Sequence, residues 1–236
     1  MLKRILVTGG NGRFSQELKK VKSRYKFIFR DKKELNILST KSIKNNFKKF
    51  KPQIILHLAG LSRPMSIHSK DVNRSIDLNI IGTANIVKAC KEKKIKIIFF
   101  STSYVYPGSK GNYEEIDSLL PWNNYGWSKL GAESSVQMYK NSLIIRACMT
   151  EKPFTHKFAF TNVKSNFIFH DQFAKILIKL IPSKGVINIG GKSQSIYKFA
   201  KMFNKNVKGK ISKGELPLKM DMNLKKLNQI LKNEKN

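Results

Sequence analysis

Over the first 150 residues, short apolar runs alternate with longer amphipathic stretches. Residues 5–7 (ILV) precede a helical pattern over 14–24, and 27–29 (FIF) precede another over 42–50. Residues 53–58 lead into a long stretch at about 71–91. There Ile76, Ile80, Ala84 and Val87 keep the three-to-four spacing of one buried helix face. IKIIFF (95–100) is almost continuously apolar, and a helical pattern over 125–139 and the run SLIIR (142–146) come after it. The strands lack the alternation of a half-exposed sheet, so both of their faces must be covered. Strand–helix alternation of this kind predicts an α/β fold, a Rossmann-type doubly wound parallel sheet with right-handed crossovers.

The pattern weakens after Arg146. It recovers as a helix near 172–181, as the strand and turn GVINIGG (185–191), and as a final helix at about 223–231. No internal repeat or low-complexity linker divides the chain. Residues 1–150 are therefore assigned to the dinucleotide-binding part. Residues 151–236 form a small C-terminal substrate cap, partly interleaved with it.

Charge alters this picture little. The 236 residues include 46 Lys and Arg against 15 Asp and Glu, a formal net charge of +31. The lysines are spread along the chain, as in KEKK (91–94) and KNNFKKFK (44–51), without an aromatic-interleaved stripe. They read as solvated faces, and no nucleic-acid partner is expected. Their field would still attract an anionic diphosphate. Cys90 and Cys148 are too few for a disulfide framework or a metal knuckle, and Cys148, Met149 and His156 do not make a metal set. The apolar run at the start is too short for a signal peptide, and no later run approaches ~20 apolar residues. These features predict a cytoplasmic protein with no membrane partner and no metal.

ILVTGGNGRFSQEL (5–18) combines a strand, a glycine-rich turn and a helix start. A pyrophosphate can sit on such a turn, held by backbone N–H groups at the positive end of the helix. Gly9 permits the tight turn, and Gly12 lets the backbone approach phosphate. Arg13 and Phe14 complete the cofactor-binding stretch, and Ser15 replaces the usual third glycine. FIFRD (27–31) ends the second strand about 20 residues on. Asp31 would accept from the 2′-OH of NAD, whereas Arg30, with Lys32 and Lys33, would welcome the 2′-phosphate of NADP. Either NAD(H) or NADP(H) is compatible with this set.

Tyr125 and Lys129 are four residues apart, on one face of a helix. A tyrosine hydroxyl has a pKa near 10, and a neighbouring ammonium favours its phenolate. Thr102, at the end of the preceding strand, can hold a substrate oxygen. A lone YxxxK is a weak signal in a lysine-rich chain. Its place about 23 residues after STS (101–103) makes it far more specific.

With TGGNGRFSQEL (8–18), ELNILS (34–39), HLAG (57–60), DLNIIGTANIVKAC (77–90), STSYVYPG (101–108) and PWNNYGWSKLGAE (121–133), the chain resembles the extended short-chain dehydrogenase/reductases. These form the NAD-dependent epimerase/dehydratase group, and the likeness is greatest to its dTDP-4-dehydrorhamnose reductases. The resemblance covers most of 1–146 and thins beyond. It implies a catalytic triad of Thr102, Tyr125 and Lys129. It places Asn36 and Ile37 near the adenine and Leu58, Ala59 and Gly60 along the cofactor, which Tyr125 and Lys129 would also touch. Arg63, Ser103 and Asn79 would serve the substrate side, Asn79 by bracing the site.

The resemblance further implies an oxidoreductase acting on a nucleotide-linked sugar, with a homodimer as the candidate assembly. Dehydratases of the group carry an Asp–Glu pair after the active Thr, and Ser103 and Tyr104 stand there instead. Reduction of the 4-keto group of a 4-keto-6-deoxy hexose needs the least machinery. A nucleotide-sugar epimerase and a non-catalytic dinucleotide-binding regulator are the alternatives.

Overall fold

The computed structural model describes residues 2–154 and 156–233. Five strands and their crossovers build the first part. They are β1 (Arg4–Thr8), β2 (Lys26–Arg30), β3 (Ile54–His57), β4 (Lys96–Thr102) and β5 (Ser142–Ala147). A sixth strand, Gly185–Ile189, pairs with β5. The sheet is parallel throughout, in the order Gly185–Ile189, β5, β4, β3, β1, β2. The doubly wound expectation holds. The β4 and β5 runs are buried along their whole length, as continuous apolar strands must be when helices cover both faces.

Helix α1 (Arg13–Lys19) lies on one face, where Phe14, Leu18, Phe173 and Leu177 pack over β1, β4 and β5. Helix α2 (Thr40–Phe50) lies on the other, where Ile43, Phe47, Ile86, Val87, Ala132 and Val136 form a second core. Ser39 caps α2 by accepting from Ser42 N at 3.2 Å. Fully burying each such Ile, Leu or Phe contributes about 1.5–3 kcal/mol.

The expected long helix at 71–91 is instead a broken run. Helix α3 (Ile67–Lys70) stops at Asp71, whose carboxylate accepts from Arg74 N and starts α4 (Val72–Ser75). A π turn over Ile76–Ile81 then leads into α5 (Gly82–Glu92). The wider turn changes the rotational phase of the run, so the predicted inward face holds at Val87 but fails at Ile76. Ile76 is 39% exposed, while Asn79, Thr83, Ile86, Val87 and Cys90 are buried. Helix α6 (Asn124–Gln137) is capped by Asn123, and α7 (His170–Leu180) packs beside α1.

The later segments interleave. Gly185–Ile189 and α7 belong to the main sheet and its cover, whereas Phe154, Ala159, Val163, Ile196, Phe199, Val207 and Met220 form a separate small core. Strand Met149–Thr150 pairs with Ile168–Phe169 at the stem of that cap.

His57 joins the sheet to α5. It is 1% exposed, and its ring nitrogens meet Thr8 Oγ1 at 2.8 Å and Thr83 Oγ1 at 3.0 Å. Burial, reinforced by the charge of Lys129, holds its pKa down at about 3. A depressed pKa means that this contribution to stability is complete above about pH 6.5 and is lost as pH falls towards 3. Denaturant unfolding at pH 6.5 and 4.5 should differ by about 2–3 kcal/mol from this group. His57→Gln should flatten that slope; an unchanged slope would show that His57 does not set it.

Candidate active site

Two cavities open at the carboxyl ends of the strands, where an open α/β sheet places ligands. The first, about 230 Å3, is lined by Gly9, Asn11, Gly12, Asp31, Lys32, Asn36, Ile37, Leu58, Ala59, Gly60 and Leu78. Gly9 has φ +70°, and a Cβ there would lie 2.8 Å from Ala59 N. The turn is thus closed by two features that only glycine satisfies. Gly12 gives α1 no side-chain cap, so the first N–H groups of the helix stay available to an anion. Ile37, Leu58 and Leu78 supply apolar walls, and Asp31 and Lys32 supply charged ones. These residues fit a dinucleotide.

Not every residue expected at this cavity reaches it. Arg30 does not: its guanidinium lies 4.3 Å over the Phe50 ring and pairs with Glu34. Phe14 is buried in the core, its ring 5.0 Å from those of Phe100 and Phe173. Arg13 faces the second cavity. The Asp31 carboxylate accepts from Asn11 Nδ2 and from the N–H groups of Lys33 and Glu34.

The second cavity, about 530 Å3, brings Thr102, Ser103, Tyr104 and Tyr125 together with Arg13 and Arg63. Phe158, Phe160, Phe167 and Leu216 of the cap form its apolar side. Thr102 ends β4, and its hydroxyl accepts from Tyr104 N at 3.3 Å. Burial raises the Tyr125 pKa, while a hydrogen bond with Thr102 and the charge of Arg63 pull against it. Lys129 sits one turn further along α6, 9% exposed, with Nζ 4.2 Å from the Phe99 ring centroid. Burial lowers its pKa to about 7, opposed by Glu133.

Asn79 lies outside both cavities. It is 1% exposed, accepts from Leu61 N at 2.7 Å and donates to Leu61 O and to Ser128 Oγ. It braces the loop after β3 against α6 and cannot be a substrate contact. A Cβ on Gly60 would lie 2.8 Å from its Oδ1. The π turn that aims Asn79 inward belongs to a class of bulge common at functional sites.

Two supports of Tyr125 are not legible in the sequence. The buried His68 ring lies 5.0 Å from the Tyr125 ring, and Tyr104 meets it edge-on at 5.9 Å. No motif marks His68, and although Tyr104 lies within STSYVYPG (101–108), nothing in that motif shows that its ring meets Tyr125.

A Rossmann-type sheet with a glycine turn at one cavity, Thr102 and Tyr125 at the next and Lys129 buried behind them on α6 defines the class of protein. Residues 3–164 match the model of the RmlD substrate binding domain, and the chain belongs to that family. It is 32% identical over 102 residues to methionine adenosyltransferase 2 subunit beta of Xenopus laevis, covering 43% of this chain and 30% of that protein. Over 148 residues it is 32% identical to the spore coat polysaccharide biosynthesis protein SpsK of Bacillus subtilis, covering 61% of this chain and 52% of that protein. The aligned stretches thus span a third to a half of these relatives. The structure of a dTDP-4-dehydrorhamnose reductase from Bacillus anthracis in complex with NADP superposes with a TM-score of 0.87 at 21% identity, covering 97% of this chain and 93% of that one. That likeness is one of fold.

Proposed function

We propose that this chain is an NAD(P)-dependent reductase of a nucleotide-linked keto sugar, acting on the 4-keto group of a 4-keto-6-deoxy hexose. The observation that carries the reading is the pairing of Thr102 with Tyr125 in one cavity, with Lys129 buried one turn along α6 and the glycine turn lining the other cavity. The bound cofactor supplies hydride. Thr102 holds the substrate carbonyl oxygen, and Tyr125 donates the proton that the new alkoxide needs. A raised Tyr125 pKa keeps that proton in place at neutral pH. Charged Lys129, one turn away, eases its release. Arg13 and Arg63 suit a diphosphate, and the absence of carboxylates after Thr102 speaks against dehydration. The names of the reductase and polysaccharide-biosynthesis relatives agree with this reading.

Two free, buried cysteines fit a reducing cytoplasm, and no helix among the described residues is long and apolar enough to cross a membrane. The exposed Val72, Ile76 and Trp127, on neighbouring helices, support a homodimer.

Nicotinamide fluorescence tests cofactor binding first. A dissociation constant in the micromolar range, about −8 kcal/mol, is expected; no binding of NADH or NADPH at ~1 mM would end the reading. Asp31 and Lys32 line the cavity, whereas Arg30 is turned away. Asp31→Ala should therefore shift the NADPH/NADH affinity ratio about three- to tenfold towards NADPH, a change of about 1 kcal/mol. Arg30→Ala should leave that ratio nearly unchanged. A ratio that moves with Arg30 and not with Asp31 would reverse the assignment.

A further inference from the structure

We infer that Glu151 is a built-in stand-in for a ligand's diphosphate, holding Arg13 and Arg63 ready and leaving them when that diphosphate arrives. Three separate segments meet here. Arg13 comes directly after the glycine turn, Arg63 stands in the loop after β3, and Glu151 succeeds Met149–Thr150 at the cap stem. Both guanidiniums donate to the same Glu151 oxygen, Oε1, Arg13 Nη1 at 2.6 Å and Arg63 Nη1 at 2.5 Å.

Both arginines line the cavity that holds Thr102 and Tyr125. Glu151 does not; it lines a neighbouring hollow with His170 and Asp171 and reaches the arginines from the rim. The three side chains are 46%, 45% and 38% exposed. Half-exposed ion pairs contribute little stability and are easily exchanged. A single carboxylate oxygen is shared by both guanidiniums, so each arginine has N–H groups left for a further acceptor. A diphosphate brings more charge and more oxygens, and arginine forks take such oxygens in pairs.

Glu151 therefore competes with the incoming ligand and sets a threshold that singly charged or neutral ligands do not cross. Only the identity of the ligand rests on the reductase reading. Two diphosphates, that of the dinucleotide and that of the sugar nucleotide, share this chemistry.

The test compares the full chain with its Glu151→Gln variant. Inorganic pyrophosphate, NADPH and dTDP-glucose are titrated separately by calorimetry. Pyrophosphate should bind the variant about three- to tenfold tighter, with a steeper salt dependence, because the competing charge is gone. Of the other two, the ligand whose affinity rises with it is the one whose diphosphate the arginines take. Glu151→Asp, which keeps the charge but shortens its reach, should fall between, and it carries the same test if the glutamine variant does not fold. Equal or weaker pyrophosphate binding by the variants would overturn the inference. Tighter pyrophosphate binding without any binding of NADPH or dTDP-glucose would uphold the stand-in role while removing the reductase reading.

Discussion

Tyr125→Phe should lower the turnover of a nucleotide-linked 4-keto sugar about 10²–10⁴-fold, with little change in cofactor affinity. The substitution keeps the ring between His68 and Tyr104 and deletes only the hydroxyl beside Thr102. The alkoxide formed by hydride addition then lacks its proton donor, and general acids typically contribute that factor. The pH profile should carry a second mark. Lys129, held down to about 7 by burial, loses its charge as pH rises. Tyr125 stays protonated there, so the rate should fall on the alkaline side because the charge that eases proton release is gone. Steady-state kinetics with a thermal melt beside them check both points. Near wild-type turnover by a folded Tyr125→Phe protein would show that another group is the acid.

Arg146→Met should destabilise the protein by about 3–5 kcal/mol, the cost of leaving one partner of a buried ion pair alone. Arg146 and Glu133 are 2% and 1% exposed, with Nη2 to Oε1 at 2.6 Å. Arg146 Nη1 also donates to the Tyr106 hydroxyl at 2.8 Å and to Glu115 O at 2.9 Å. Glu133 stands on α6 eight residues after Tyr125, so the pair fastens α6 to β5. The denaturation midpoint should drop with an unchanged slope. Glu133→Gln combined with Arg146→Met should recover much of the loss, since no buried charge remains unpaired. A loss below about 1 kcal/mol for the single variant would mean that water reaches the pair.

Much of this architecture can be read from local pattern. The continuous apolar runs of β4 and β5 imply a covered parallel sheet, and the positions of Gly9 and Gly12 after the first strand imply a phosphate turn. The four-residue spacing of Tyr125 and Lys129 is weak alone; its place after STS (101–103) sharpens it, and the family resemblance implies the candidate triad. What escapes is set by contacts distant in sequence. The Phe50 ring draws Arg30 away from the cleft, and Phe100 and Phe173 claim Phe14. Periodicity misleads at 71–91 because a π turn shifts the phase. Ile76 therefore turns outward although its spacing suits a buried face, and Asn79 turns inward. Glu151 pairs with residues 138 and 88 positions away, a juxtaposition no local pattern encodes.

The proposed reaction is net reduction of a sugar carbonyl by cofactor hydride. Its most direct test incubates the purified chain with NADPH or NADH and a dTDP-linked 4-keto-6-deoxy hexose. Loss of reduced nicotinamide is tracked by absorbance and the sugar product by mass spectrometry. One reduced cofactor should be consumed per sugar, and the product should be heavier by two hydrogens. A sugar converted to an isomer of unchanged mass with no net cofactor consumption, or no conversion by a chain that binds the cofactor, would contradict the proposed reaction.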